Sequence, residues 1–248
     1  MIPDGLTPPR ALPVDAALEL LRNGELAVEG RLVDASNATL YCSITADGVS
    51  AACVYKPVAG ERPLWDFPDG TLAEREVAAY EVSASTGWDI VPPTVYRDGP
   101  AGPGMVQLWI AEDEHVDLVR LLRRGDSEAL RRIAVFDAVV NNADRKGGHL
   151  LPTADGAIFG VDHGVTFHVE DKLRTVLWQW AGERLPQAAV DTLVELRGRL
   201  DRELGERLRE LLTIREVRRT IRRVDDLLAI GRHPEPSGDW PPVPWPPM

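Results

Sequence analysis

Residues 133–149 read IAVFDAVVNNADRKGGH, an apolar helical run that passes without a break into the densest polar cluster of the chain. Amides at Asn141 and Asn142, a carboxylate at Asp144, cations at Arg145 and Lys146, two glycines and His149 suit a loop that converges on a ligand. Asp144 offers a general base or a metal ligand, and Arg145 and Lys146 offer charge for a phosphate. A solvated helix-to-strand turn fits the same letters. A short apolar hairpin follows, Leu150–Leu151 and Ile158–Val161, with Asp155-Gly156 at its turn. It ends in Gly160-Val161-Asp162-His163-Gly164, where a carboxylate and an imidazole leave an apolar strand between glycines. Such a strand end reads as a metal or phosphate site, with a plain turn as its rival.

Upstream, the pattern is mostly that of strands. Val14–Asn23 has apolar residues at Ala17, Leu18 and Leu21 on one helical face, and Gly24 stops it. Leu26–Val33, Leu40–Thr45 and Val49–Tyr55 read as strands, with the small polar stretch Asp34–Thr39 after the first. Asp47-Gly48 predicts a tight hairpin that sets Cys42 across from Cys53, as two buried thiols or a bridge. Lys56 closes the apolar run Ala51–Tyr55, on the same face as Val54 and Ala52. An ammonium there requires an anion or a route to solvent. Leu72–Ser83 reads as a helix capped by Thr71 with Glu74, and its Glu76 could orient Lys56 or lie solvated. Val91–Tyr96 and Met105–Ile110 read as two further strands separated by the turn-rich Arg97–Gly104.

Beyond residue 117 the periodicity turns helical, and helices occupy most of Leu185–Ile230. In the last of them Ile214, Val217, Ile221, Val224 and Leu228 form one expected buried stripe. Residues 233–248, HPEPSGDWPPVPWPPM, favour an extended, polyproline-like path, either on their own domain or in a partner's groove.

Composition narrows the function classes. The 248 residues carry 28 Lys+Arg against 39 Asp+Glu, a formal charge of −11, which argues against a nucleic-acid-coating face. With 44% hydrophobic and 27% charged residues the chain is globular rather than disordered. No apolar run approaches the ~18 residues of a membrane span, and the start lacks the order of a secretory signal. A cytoplasmic protein with no integral membrane association is expected. Two cysteines without a CxxC pair exclude a disulfide scaffold and a cysteine zinc site.

The order of these features says more than any one of them: strand, polar loop, strand ending in Lys, helix with Glu, sheet edge, helix, Asp-containing loop, strand, Asp-x-Gly. A kinase-type site for phosphoryl transfer needs those parts. On Val54-Tyr55-Lys56-Pro57, Arg75-Glu76-Val77-Ala78-Ala79-Tyr80, Asn142-Ala143-Asp144-Arg145 and Val161-Asp162-His163-Gly164, the chain resembles the phosphatidylinositol 3-/4-kinase-like branch of the protein-kinase fold. It looks closest to bacterial members and type II phosphatidylinositol 4-kinases, and is similar to an actinobacterial branch of small proteins. The likeness spans about Leu26 to Phe167, leaving the C-terminal helices without a motif.

That resemblance implies an α+β, two-lobed protein-kinase-like fold. A β-rich N-lobe would span 1–112, a mainly helical C-lobe 113–232 and the Pro/Trp-rich tail 233–248. It implies ATP as cofactor, with Lys56 on the α/β-phosphates and Glu76 paired with it. Asp144 would be the catalytic-loop aspartate and Asp162 the metal-binding one. Ser36, Asn37 and Thr39 would stand in for the Gly-rich loop. Gln107–Glu112 would be the hinge, with Gln107, Trp109 and Ile110 beside adenine and Val54 as an apolar wall.

Two departures stand out. Lys146 follows Asp144-Arg145 where the family has histidine, and could supply its charge at the transferred phosphate; His149 occupies the place of a metal-binding Asn. Imidazole suits borderline ions better than Mg²⁺, so the expectation is one Mg²⁺ held mainly by Asp162, or a shift towards Mn²⁺. Asp-His-Gly for Asp-Phe-Gly is the second departure. The implied activity is an ATP-dependent phosphotransferase acting on a protein or soluble small-molecule hydroxyl, since the acidic surface disfavours anionic lipid. Nucleotidyl transfer, a nucleotide-binding pseudokinase, or an interaction protein with a vestigial cleft are the rival readings.

Overall fold

The computed structural model describes residues 12–32, 38–67 and 72–248. Its N-terminal part is a five-stranded antiparallel sheet of β1 (Glu25–Arg31), β2 (Leu40–Ala46), β3 (Val49–Pro57), β4 (Thr94–Gly99) and β5 (Gly102–Leu108), in the order β1-β2-β3-β5-β4. The β2–β3 hairpin turns at Asp47 and Gly48, both at positive φ, and its register sets Cys42 opposite Cys53. Both thiols are buried and free. Alternation then divides the sheet. Cys42, Ile44, Ala51, Cys53, Tyr55, Val106 and Leu108 pack with Ala17, Leu20 and Leu21 of helix α1 (Val14–Asn23). The opposite face therefore carries Ala52, Val54 and Lys56, with Met105 paired to Lys56 and Gln107 paired to Val54.

Against that second face lies helix α2 (Leu72–Thr86), longer than the expected Leu72–Ser83 and ended by Gly87 at φ +66°. Thr71, its expected cap, falls outside the described residues. The carboxylate of Glu61 accepts from the N–H groups of Leu72 and Ala73 at 2.9 and 2.7 Å, so a loop residue caps the helix. β4 and β5 also depart from expectation. Pro92 and Pro93 supply no N–H, so β4 starts at Thr94, and the turn tightens to Gly99–Gly102 inside the segment read as a long loop.

The helical part comprises α3 (Leu118–Arg124), α4 (Glu128–Val140), α5 (Gln187–Leu200), α6 (Glu203–Leu211) and α7 (Ile214–Ile230), with the β6–β7 hairpin (Leu150–Pro152, Ile158–Gly160) between α4 and α5. Their apolar faces merge with that of α2 in one core. The α7 stripe is rotated from the expected one. Val217, Thr220, Val224 and Leu227 are buried, whereas Ile214 is exposed. Glu216 and Arg223 take buried places because each has a partner, Arg75 for Glu216 and Asp171 for Arg223. The tail lies on its own protein: carbonyls of Pro241, Pro242 and Val243 accept from Arg174, Thr175 and Trp178. Among the described residues no helix is long and apolar enough to cross a membrane.

Candidate active site

Three elements meet at Lys56. β3 brings it to the edge of the sheet face that looks towards α2, where its Nζ donates to Glu76 Oε1 at 2.6 Å and Asp162 Oδ1 at 2.8 Å. Burial pulls the ammonium's pKa down, but the Asp162 and Glu76 carboxylates outweigh it and the net shift is upwards. Glu76 is almost sealed; burial raises its pKa despite Lys56, and its Oε2 accepts from the His163 N–H at 2.8 Å. One glutamate thus ties strand, helix and the loop after β7 together.

Asp162 differs from its neighbours in being open. It follows β7 in the left-handed conformation (φ 60°), and 44% of its side chain remains exposed. Lys56, the largest influence, drives its pKa far below the usual carboxylate range. His149 Nε2 stands 3.4 Å from the second carboxylate oxygen. Burial pushes the imidazole's pKa down more than Asp162 raises it. His149 Nδ1 accepts the Lys146 N–H at 3.4 Å, so the ring proton sits on Nε2 and faces Asp162.

The loop after α4 is fixed from within. Asn141 ends the helix in the left-handed conformation and binds the His168 and Glu170 carbonyls. Asn142 donates to Asp137 and accepts from the Asp144 N–H at 3.0 Å, a turn that leaves the Asp144 carboxylate half-buried. That carboxylate pairs with Lys146 at 3.0 Å. Arg145 contradicts the reading that gave it to a phosphate. It is fully buried, bidentate on Asp137, and bound to the His149 and Val161 carbonyls and to His163 Nε2. A guanidinium with those partners is a brace, not a ligand-binding group. Asp137 was missed, although a lone carboxylate inside the apolar run 133–140 was a visible signal.

The other expected positions divide. Ser36 and Asn37 fall outside the described residues, while Thr39 is buried and its carbonyl accepts from Leu32 N–H. Val54 is half-buried on the Lys56 face. Gln107 turns its amide to Thr94 Oγ1 at 2.8 Å. Trp109 donates its N–H to the Ala52 carbonyl and sets its ring edge-on to Tyr41 at 5.1 Å. Ile110 lines a separate cavity of about 260 Å³ with Tyr80, Leu108 and Phe159. No group of three or more His, Cys, Asp or Glu side chains among the described residues is placed to hold a metal by itself.

No family model matches the chain. Among solved structures it is similar to a Golgi casein kinase, with a TM-score of 0.55 at 14% identity over 88% of this chain and 75% of the other. It is also similar to the Helicobacter pylori proinflammatory kinase CtkA, with a TM-score of 0.50 at 13% identity over 83% and 92%. These likenesses show a kinase-like fold, a β-rich N-lobe on a mainly helical C-lobe. In sequence it is 45% identical over 261 residues to Protein Rv2133c of Mycobacterium tuberculosis, covering 92% of this chain and 94% of that one. With an identity that high along nearly both full lengths, the chain belongs to the Rv2133c family.

Proposed function

We propose that the chain is an ATP-dependent phosphotransferase of the phosphatidylinositol 3-/4-kinase-like class, acting on a protein or soluble small-molecule hydroxyl. The observation that carries this reading is Lys56, held between buried Glu76 and half-open Asp162 at the edge of an apolar sheet face. A cation kept charged by two carboxylates, one of them exposed, is poised to exchange one partner for phosphate oxygens. Ala52 and Val54 on the same face suit a nucleobase. Leu108 and Trp109 donate their N–H groups to Pro93 and Ala52 carbonyls, so the hinge would meet adenine through the backbone beyond Trp109. Trp109 and Gln107 then support the hinge.

The donor set fits a divalent ion bound with the nucleotide. Asp162 offers a hard, ionised oxygen, and phosphate oxygens and water would complete the shell. Such an ion would neutralise phosphate charge. His149, with its proton on Nε2, orients Asp162 rather than ligating, which favours one Mg²⁺ over a shift to Mn²⁺. Asp144 would accept the acceptor hydroxyl's proton, and Lys146 would place positive charge beside the transferred group.

His149 against Asp162 supports a second reading, a nucleotide-binding pseudokinase, because an imidazole stands where phosphatidylinositol 3-/4-kinase-like proteins would have a metal-binding amide. Incubation with γ-labelled ATP and Mg²⁺ or Mn²⁺ separates the two. Label transfer lost in both Asp144→Ala and Asp162→Ala is the outcome expected of the enzyme. Nucleotide binding without turnover selects the pseudokinase, and no binding at all rejects both.

A further inference from the structure

The C-terminal tail does not merely lie on the helical part; it ends on the loop that carries Asp144. Trp240 stacks under the Lys172 ammonium at 4.5 Å. Arg174 Nε then donates to the Pro241 carbonyl at 3.0 Å, and Arg174 Nη2 reaches Val243. The Pro242 carbonyl accepts both the Thr175 N–H at 3.0 Å and the Trp178 Nε1–H at 2.8 Å. Finally the Gly147 N–H donates to the Pro247 carbonyl at 2.8 Å. Gly147 is next to Lys146, the partner of Asp144, and a Cβ at Gly147 would stand 2.3 Å from Met248 Sδ. The Met248 side chain would have to shift to admit one, while the Pro247 carbonyl would stand 3.6 Å away.

The groove and its occupant are chemically matched. Residues 240–248, WPPVPWPPM, hold five prolines, which lack N–H groups and present carbonyls only. The bonds from the groove all come from donors: Arg174, Thr175, Trp178 and Gly147. The 172–178 segment is itself joined to the catalytic loop, since Arg145 N–H donates to the Arg174 carbonyl and Val176 N–H to that of Arg145. Tail, segment and loop therefore form one layered edge. The segment 240–248 contains no Ser, Thr or Tyr, so it holds no hydroxyl that could receive a phosphoryl group.

We propose that residues 240–248 are an autoinhibitory plug: a proline-rich, hydroxyl-free segment that closes the acceptor side of the cleft and is displaced by another polypeptide that presents carbonyls to Arg174, Thr175 and Trp178 but none to Gly147. This rests on the phosphotransferase reading above. Displacing the tail opens the Asp144 loop to the acceptor. With water as the acceptor, its oxygen bonds to the γ-phosphorus, the bond to the β–γ bridging oxygen breaks, ADP leaves, and the water's proton passes to Asp144.

The test compares phosphate release from ATP with Mg²⁺ by the full chain, a chain ending at Trp245 and a chain ending at Asp239. The first truncation loses the contact on Gly147 and keeps the donors' bonds to 241–243, so it decides the matter even where the second does not fold. Both truncated chains are expected to turn over ATP roughly tenfold faster, the relief when a site about 90% closed is freed. A synthetic peptide WPPVPWPPM should return the Asp239-ending chain to the full chain's rate and leave the full chain unaffected. Full-length Trp178→Phe, which loses one bond to Pro242, should show a smaller rise. Equal turnover in all three chains, with ATP bound, overturns the plug and leaves the phosphotransferase reading standing. Absence of ATP binding and turnover in every chain overturns that reading, and the plug with it.

Discussion

Two charged clusters meet at residues 161–163 of this molecule, built from the same kinds of side chain and doing different things. In the cleft, Lys56, Glu76 and Asp162 form a chain of ion pairs whose last carboxylate is 44% exposed. Beside it, Asp137, Arg145 and His163 are each 0% exposed, and the guanidinium is engaged on two loops and a helix. The first cluster keeps an oxygen free to change partners; the second has no partner to give up. Openness of the last acceptor, not density of charge, separates a candidate reaction centre from a structural brace.

Breaking the brace should give the largest effect. Arg145→Ala leaves Asp137 buried and unpaired, for which a loss of about 3–5 kcal/mol is expected. The denaturant midpoint measures it, and joint replacement by Arg145→Met and Asp137→Leu should recover much of the loss. A midpoint unchanged in Arg145→Ala would mean that the brace is not what holds the loop. The cleft should respond in the opposite sense. Asp144→Asn is expected to lower phosphoryl transfer by about 10²- to 10³-fold. Its thermal midpoint should stay within about 2 °C, because the half-exposed pair with Lys146 contributes under about 1 kcal/mol. A fold collapse in Asp144→Asn would erase the distinction between the clusters.

Much of the cleft was legible because its signals are local. Asp47-Gly48 fixed the β2–β3 register, and with it the face on which Lys56 lies. A lysine ending an apolar strand and a glutamate inside an apolar helix face each demand a partner, and they meet. The brace was misread because Arg145 sits among polar letters, while its partner Asp137 lies eight residues back in an apolar run. Likewise Glu216 and Arg223 interrupt the expected α7 stripe, since their burial depends on Arg75 and Asp171, at far-off sequence positions. The Glu61 cap and the tail's end on Gly147 depend on loop paths that no periodicity encodes.

Acid sharpens the picture at a third buried group. His233 takes a hydrogen bond from Arg131 Nε at 3.1 Å, and burial with that neighbouring cation lowers its pKa to about 4. Unfolded, the imidazole titrates near its ordinary 6.5, so between pH 6.5 and 4 the unfolded chain binds the extra proton. Stability from this group is full above pH 6.5 and falls as the pH drops towards 4, by up to about 3 kcal/mol. Thermal midpoints at pH 7 and 5 should converge in His233→Gln relative to the parent. An equal acid loss in both would locate the titrating group elsewhere.

The smallest effect is expected inside the brace itself, at His163. His163 packs its ring edge-on to Phe136 at 5.6 Å, a contact that an aromatic hydrocarbon ring would also make. Burial holds it neutral, with its pKa well below the ordinary value. Its Nε2 lies 2.6 Å from the Arg145 donor, which leaves the proton on Nδ1, where it has no partner. His163→Phe removes one hydrogen bond to a charged group, a loss of about 1.5–3 kcal/mol, and also removes a buried orphan donor that costs about 1–3 kcal/mol. The two nearly cancel, so the unfolding free energy should move by no more than about 1 kcal/mol in either direction. Arg145 retains both Asp137 oxygens and two carbonyls, and Glu76 still receives the backbone N–H at 163, so turnover should persist. A loss as large as that of Arg145→Ala would show that the imidazole is an obligatory member of the brace rather than a ring that any aromatic side chain can replace.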